Sequence, residues 1–110
     1  MTKETRIKQE LIRLEEIYRG LPENKLAIVI PLLENASFMK ITLEDLQYSI
    51  NRNGCSEEYK NGENQYGKKA AADLQAYNSL IKNYNAISDR LEKLLPPDQR
   101  ESRLEALRDE

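Results

Sequence analysis

The sequence predicts an all-α fold, and three observations carry that prediction. Apolar residues recur at spacings of three and four along three long stretches. Gly and Pro fall between those stretches and, apart from Pro31, not inside them. No stretch offers the matching apolar alternation that a second strand would need in order to pair. The expected layout is three helices at about 3–19, 23–52 and 68–95, with a loop at 53–67 and a short C-terminal helix at 98–108. Residues 1–95 then form one helical domain, and 96–110 a tail or short docking helix.

In the first stretch, Ile7, Leu11, Leu14 and Tyr18 step by four, three and four, which is one narrow helical face. Thr2 with Thr5 offers an N-cap region, and Gly20-Leu21-Pro22 supplies the stop. Lys3, Arg6, Lys8, Arg13 and Arg19 alternate with Glu4, Glu10, Glu15 and Glu16. That alternation reads as a solvated face with pairs such as Glu15–Arg19. The other reading is a DNA-facing surface built on Lys3, Arg6 and Arg13.

Pro22 suits the first turn of the second helix. Leu26-Ala27-Ile28-Val29-Ile30 is the most apolar run and points to burial on more than one side. Pro31 removes a backbone donor, so a kink is expected there. Thr42-x-x-Asp45 resembles a fresh N-cap, so a break near 40–42 is the alternative to one long helix.

Residues 53–67 hold two Asn-Gly pairs and Gly67, the clearest loop composition in the chain. Lys60, Asn64, Gln65, Tyr66, Lys68 and Lys69 place cations, amides and an aromatic side by side, which suits contact with DNA or a protein partner. The other reading is that Tyr59 and Tyr66 cover the end of the long helix while the amides cap it. From Lys68 to Leu95 the chain runs 28 residues without Gly or Pro. Such a helix is about 42 Å long. Its stripe includes Leu74, Tyr77, Ile81, Tyr84 and Leu91, a candidate oligomer interface. Tyr contributes an apolar body with a polar tip, which suits such a surface.

Composition bounds the function. A chain of 110 residues is one domain by length, and with 33% charged and 6% aromatic residues its core is thin. The formal net charge of −2 argues against indiscriminate binding to DNA or acidic membranes. No uninterrupted run of 18 apolar residues marks a membrane span. A charged stretch follows Met1 where a secretory signal would be apolar. There is no His, and Cys55 stands alone, so neither a zinc site nor a Cys–His nucleophile is expected. The glycines do not form a phosphate-binding loop. Glu57, Glu58 and Glu63 leave one enzymatic alternative, a divalent metal held by carboxylates. The expectation is a chain with no catalytic, cofactor-binding or metal-binding residues, acting by association.

Ser56 to Leu95 resembles a segment of phage terminase small subunits of a short, all-helical family. The resemblance rests on Tyr59-x-Asn61-Gly62-Glu63-Asn64-Gln65-Tyr66-Gly67, on Tyr77-Asn78, on Lys82-Asn83-Tyr84 and on Leu94-Leu95-Pro96. Ser37-Phe38-Met39 and Thr42-Leu43-Glu44-Asp45-Leu46 extend it over roughly residues 34–97. It implies a non-catalytic packaging factor of the host cytoplasm that binds viral double-stranded DNA as a homo-oligomeric ring. It also implies recruitment or regulation of the large ATPase–nuclease subunit. Many such subunits carry an N-terminal helix-turn-helix; residues 1–50 show no short glycine-containing turn between two compact helices apart from Gly20-Leu21-Pro22, and their basic charge is neutralised, so no DNA-contact residue follows from the resemblance.

Overall fold

The computed structural model describes residues 1–53 and 64–96, of which 64–66 by backbone alone. Its helices are α1 (Lys3–Tyr18), α2 (Glu23–Asn53) and α3 (Asn64–Leu94). Thr2 starts α1 as expected. Its backbone is extended and its Oγ1 accepts a hydrogen bond from the Thr5 N–H at 3.1 Å. Such a cap is worth about 1 kcal/mol. Beyond α1, the Leu21 N–H donates to the Tyr18 carbonyl at 3.2 Å while the Leu21 side chain is buried. The Pro22 carbonyl then accepts from Leu26 N–H at 2.9 Å, opening α2.

Both α2 and α3 have 31 residues, about 46 Å at helical rise. The break considered near 40–42 does not occur, and Thr42 is no N-cap. Ile41 and Leu43 are buried on either side of it, and Asp45 receives Arg6 of α1 at 2.6 Å. Tertiary packing therefore overrides a local capping signal. The helix also runs unbroken through Pro31. The ring leaves the Ala27 carbonyl without its helical donor, but Ala27 and Pro31 both lie on the exposed face, where water can serve it. On the buried face Ser37 Oγ donates to the Leu33 carbonyl at 2.8 Å, which satisfies a hydroxyl with no exposure at all.

The third helix starts at Asn64, so residues 64–67 belong to it and not to the expected loop. Gly67 lies inside α3 and weakens it without ending it. Asn53, at the other end of the expected loop, is the last residue of α2. The stretch 54–63, including Lys60 and the carboxylates at 57, 58 and 63, lies outside the described residues. So do the expected helix at 98–108 and the tail from Pro97. At the other end, Leu95 N–H donates to the Glu92 carbonyl at 3.2 Å, and Pro96 follows.

Pairings along the helices fix the topology. Arg6 reaches Glu44 and Asp45, and Glu10 reaches Lys40, so α1 and α2 are antiparallel. Gln47 Nε2 donates to the Tyr77 hydroxyl at 3.0 Å, and Ser49 Oγ donates to Asp73, so α2 and α3 are antiparallel too. The central helix is thus α2, packed on both neighbours. One core joins all three: Leu14, Tyr18, Leu21, Val29, Leu33, Ala36, Leu91 and Leu95. Past Asp45 the pair α2–α3 continues as an arm. Among the described residues none between Glu44 and Arg90 is fully buried.

Candidate functional site

The tip of that arm holds a cleft of about 320 Å³ lined by Tyr48, Ser49, Arg52, Asn53 and Lys69. Two helices build it. Tyr48 and Arg52 are one turn apart on α2, which puts them on one face, and Arg52 Nη1 donates to the Tyr48 hydroxyl at 3.3 Å. Asn53 Nδ2 donates to Ser49 Oγ at 3.3 Å, and that hydroxyl passes its own proton toward Asp73 of α3. Lys69 enters from the second turn of α3. The cleft therefore offers a guanidinium, an ammonium and an exposed aromatic ring over a floor of paired polar groups. Such a set can hold a phosphate oxygen and stack on a base or sugar.

The sequence candidates divide around this cleft. Lys69 lines it, and Lys68 is exposed beside it. Asn64, Gln65 and Tyr66 occupy the first turn of α3, with their side chains outside the description. Sequence reasoning misses Tyr48 and Arg52. Their signal is an i,i+4 pair at the end of α2, and it matters only once the antiparallel return of α3 brings Lys69 alongside.

The basic residues of α1 have other employment. Arg6 bridges Asp45 and Glu44, and its two hydrogen bonds, to Asp45 first, raise its pKa above the ordinary value. Arg13 clasps Glu10 through Nε and Nη2, each at 2.8 Å, and Lys3 Nζ sits 5.0 Å from the centre of the Phe38 ring. The alternative DNA surface on Lys3, Arg6 and Arg13 is therefore occupied by internal contacts. Arg19 pairs with Glu16, not with Glu15 as the sequence suggests. Burial pushes the Glu10 carboxyl up, but hydrogen bonds from Arg13 and the charge of Lys40 outweigh that and hold it below the ordinary carboxylate value. Among the described residues no group of three or more acidic or Cys side chains could hold a metal ion.

No known protein family, curated protein or solved structure matches this chain. What it does must therefore be read from its own surfaces.

The second surface is apolar. By length and composition alone α2 could cross a membrane, yet only 33% of its most apolar 18 residues is buried. Glu34 and Lys40 interrupt that stretch in the sequence. Packing on α1 and α3 consumes Val29, Leu33, Ala36 and Ile41, and leaves Ile28, Ile30 and Phe38 in solvent. Of the candidate interface residues on α3, Leu74 is 48% exposed, and Tyr77, Ile81 and Tyr84 are half-buried. Leu91 is 2% exposed and belongs to the protomer's own core, which removes it from that interface. Among the described residues, the excess apolar surface therefore lies mainly on α2 and on Ile12 of α1, and on α3 at Leu74.

Proposed function

We propose that this chain is a non-catalytic DNA-packaging factor of the phage terminase small-subunit kind. It self-associates, contacts viral double-stranded DNA and presents that DNA to a large ATPase–nuclease subunit. The observation that carries this reading is that α2 still leaves Ile28, Ile30 and Phe38 exposed after both neighbouring helices have packed. Large apolar side chains left exposed in this way favour association. The resemblance over residues 34–97 supplies the class of partner.

The arm-tip cleft supports the nucleic-acid half. One copy brings little charge, but several copies around an axis would repeat Arg52, Lys68 and Lys69 and bind by multivalency. The test is DNA binding across a salt series. Joint substitution Lys68→Glu and Lys69→Glu should lower affinity at low salt by tenfold or more. It should also flatten the salt slope by on the order of one unit for each phosphate that is no longer neutralised. An unchanged slope would move the DNA surface elsewhere.

The net charge of −2 favours a second reading, a helical adaptor that docks a partner protein and never meets nucleic acid. A gel shift with phage-end DNA, with and without a large subunit, separates the two. Binding only when the large subunit is present would favour the adaptor.

A further inference from the structure

We propose that copies of this chain associate head to tail, the Ile28 ridge of one copy entering the α1–α2 groove of the next. The proposal rests on the self-association argued above and specifies its geometry.

The groove is a built feature of about 350 Å³ between α1 and α2, with Ile12, Leu26 and Ile30 among its apolar walls. Ile12 is 65% exposed, and α3 contributes none of the lining among the described residues. Glu15, Glu16 and Arg19 form its charged rim. Arg19 is taken by Glu16, so the rim keeps one negative charge, on Glu15, without an ion pair among the described residues.

The ridge lies on the other side of the same helix. Residues two apart on a helix point about 200° from one another. With Ile30 in the groove, Ile28 therefore faces nearly the opposite way, and it is 68% exposed. Lys25, one turn before Ile28, is exposed and carries the complementary charge. A second copy thus supplies both halves of a match: an aliphatic side chain for an apolar groove, and a cation for Glu15.

Direction follows from placement. A two-fold dimer brings the same patch of each copy together. Here the concave and convex patches face opposite ways, so each copy can engage two others, one on each side. Such heterologous contacts close into a ring or extend as a filament.

The test uses the full chain and two variants at exposed positions, Ile28→Glu and Ile12→Glu, with helicity checked by circular dichroism. Light scattering should find wild type larger than one chain. Each variant alone should be a monomer, with self-association weakened on the order of tenfold or more. An equimolar mixture of the two should give a species of two-chain mass, because one variant keeps an intact groove and the other an intact ridge. Wild-type assembly with a mixture that stays monomeric, or with variants that still assemble, would overturn the head-to-tail contact and leave self-association standing. A wild type that is monomeric at high micromolar concentration would overturn both. If either Glu variant loses helicity, the milder pair Ile28→Ala and Ile12→Ala is judged by the same mixing experiment.

Discussion

Glu10 is where a single residue decides most in this protein. It is buried against α2 yet charged, and it remains so because Arg13 and Lys40 converge on it. Its folded-state pKa lies below the ordinary 4.5, so the folded chain takes up that proton less readily than the unfolded chain does. The resulting stability is fully present above the unfolded value and is lost as pH falls through the folded one. Thermal melts from pH 7 to pH 3 should show that acid limb, and Glu10→Gln should flatten it. At pH 7 Glu10→Ala should cost about 1–3 kcal/mol, since it takes the buried carboxylate away from Arg13 and Lys40, although both stay partly solvated. Thr42 makes the opposite case. Its Oγ1 is buried with no hydrogen-bond partner among the described residues. Thr42→Val keeps the shape and removes the orphan, so a chemical melt should show a gain of about 1 kcal/mol. A loss would mean that the hydroxyl is served by water.

Among the helices, what is legible in the sequence depends on how far the deciding contacts lie along the chain. The α1 stripe and its Thr2 cap are local, and both are readable. The continuity of α2 is not, because Thr42 and Asp45 spell a helix start. Only Arg6, 39 residues away, explains what Asp45 does instead. The start of α3 is hidden for a related reason. Gly67 reads as loop, yet a methyl group built on it meets nothing within 4 Å, and it sits near the start of α3. Gly67→Ala should therefore raise stability by about 1 kcal/mol, measured as an upward shift of the thermal midpoint. At the candidate site, Lys68 and Lys69 stand out in the sequence as a basic pair, whereas Arg52 is hidden in what looks like an ordinary helix end.

Over the whole molecule, order is concentrated at one end. Leu33 has no exposure and touches the common core of all three helices, so Leu33→Ala should cost about 2–5 kcal/mol in a denaturant melt. If the chain self-associates, its thermal midpoint should also rise with concentration, since assembly favours the folded state by mass action. The long pair α2–α3 has a different character past Asp45, where no described residue is fully buried. Regions with little buried apolar contact open at low free-energy cost. Amide hydrogens at 47–53 and 67–77 should then exchange with solvent well before those around Val29 and Leu91. A molecule so anchored can breathe at its tip, fitting Tyr48, Arg52 and Lys69 around a ligand while the distant bundle stays shut.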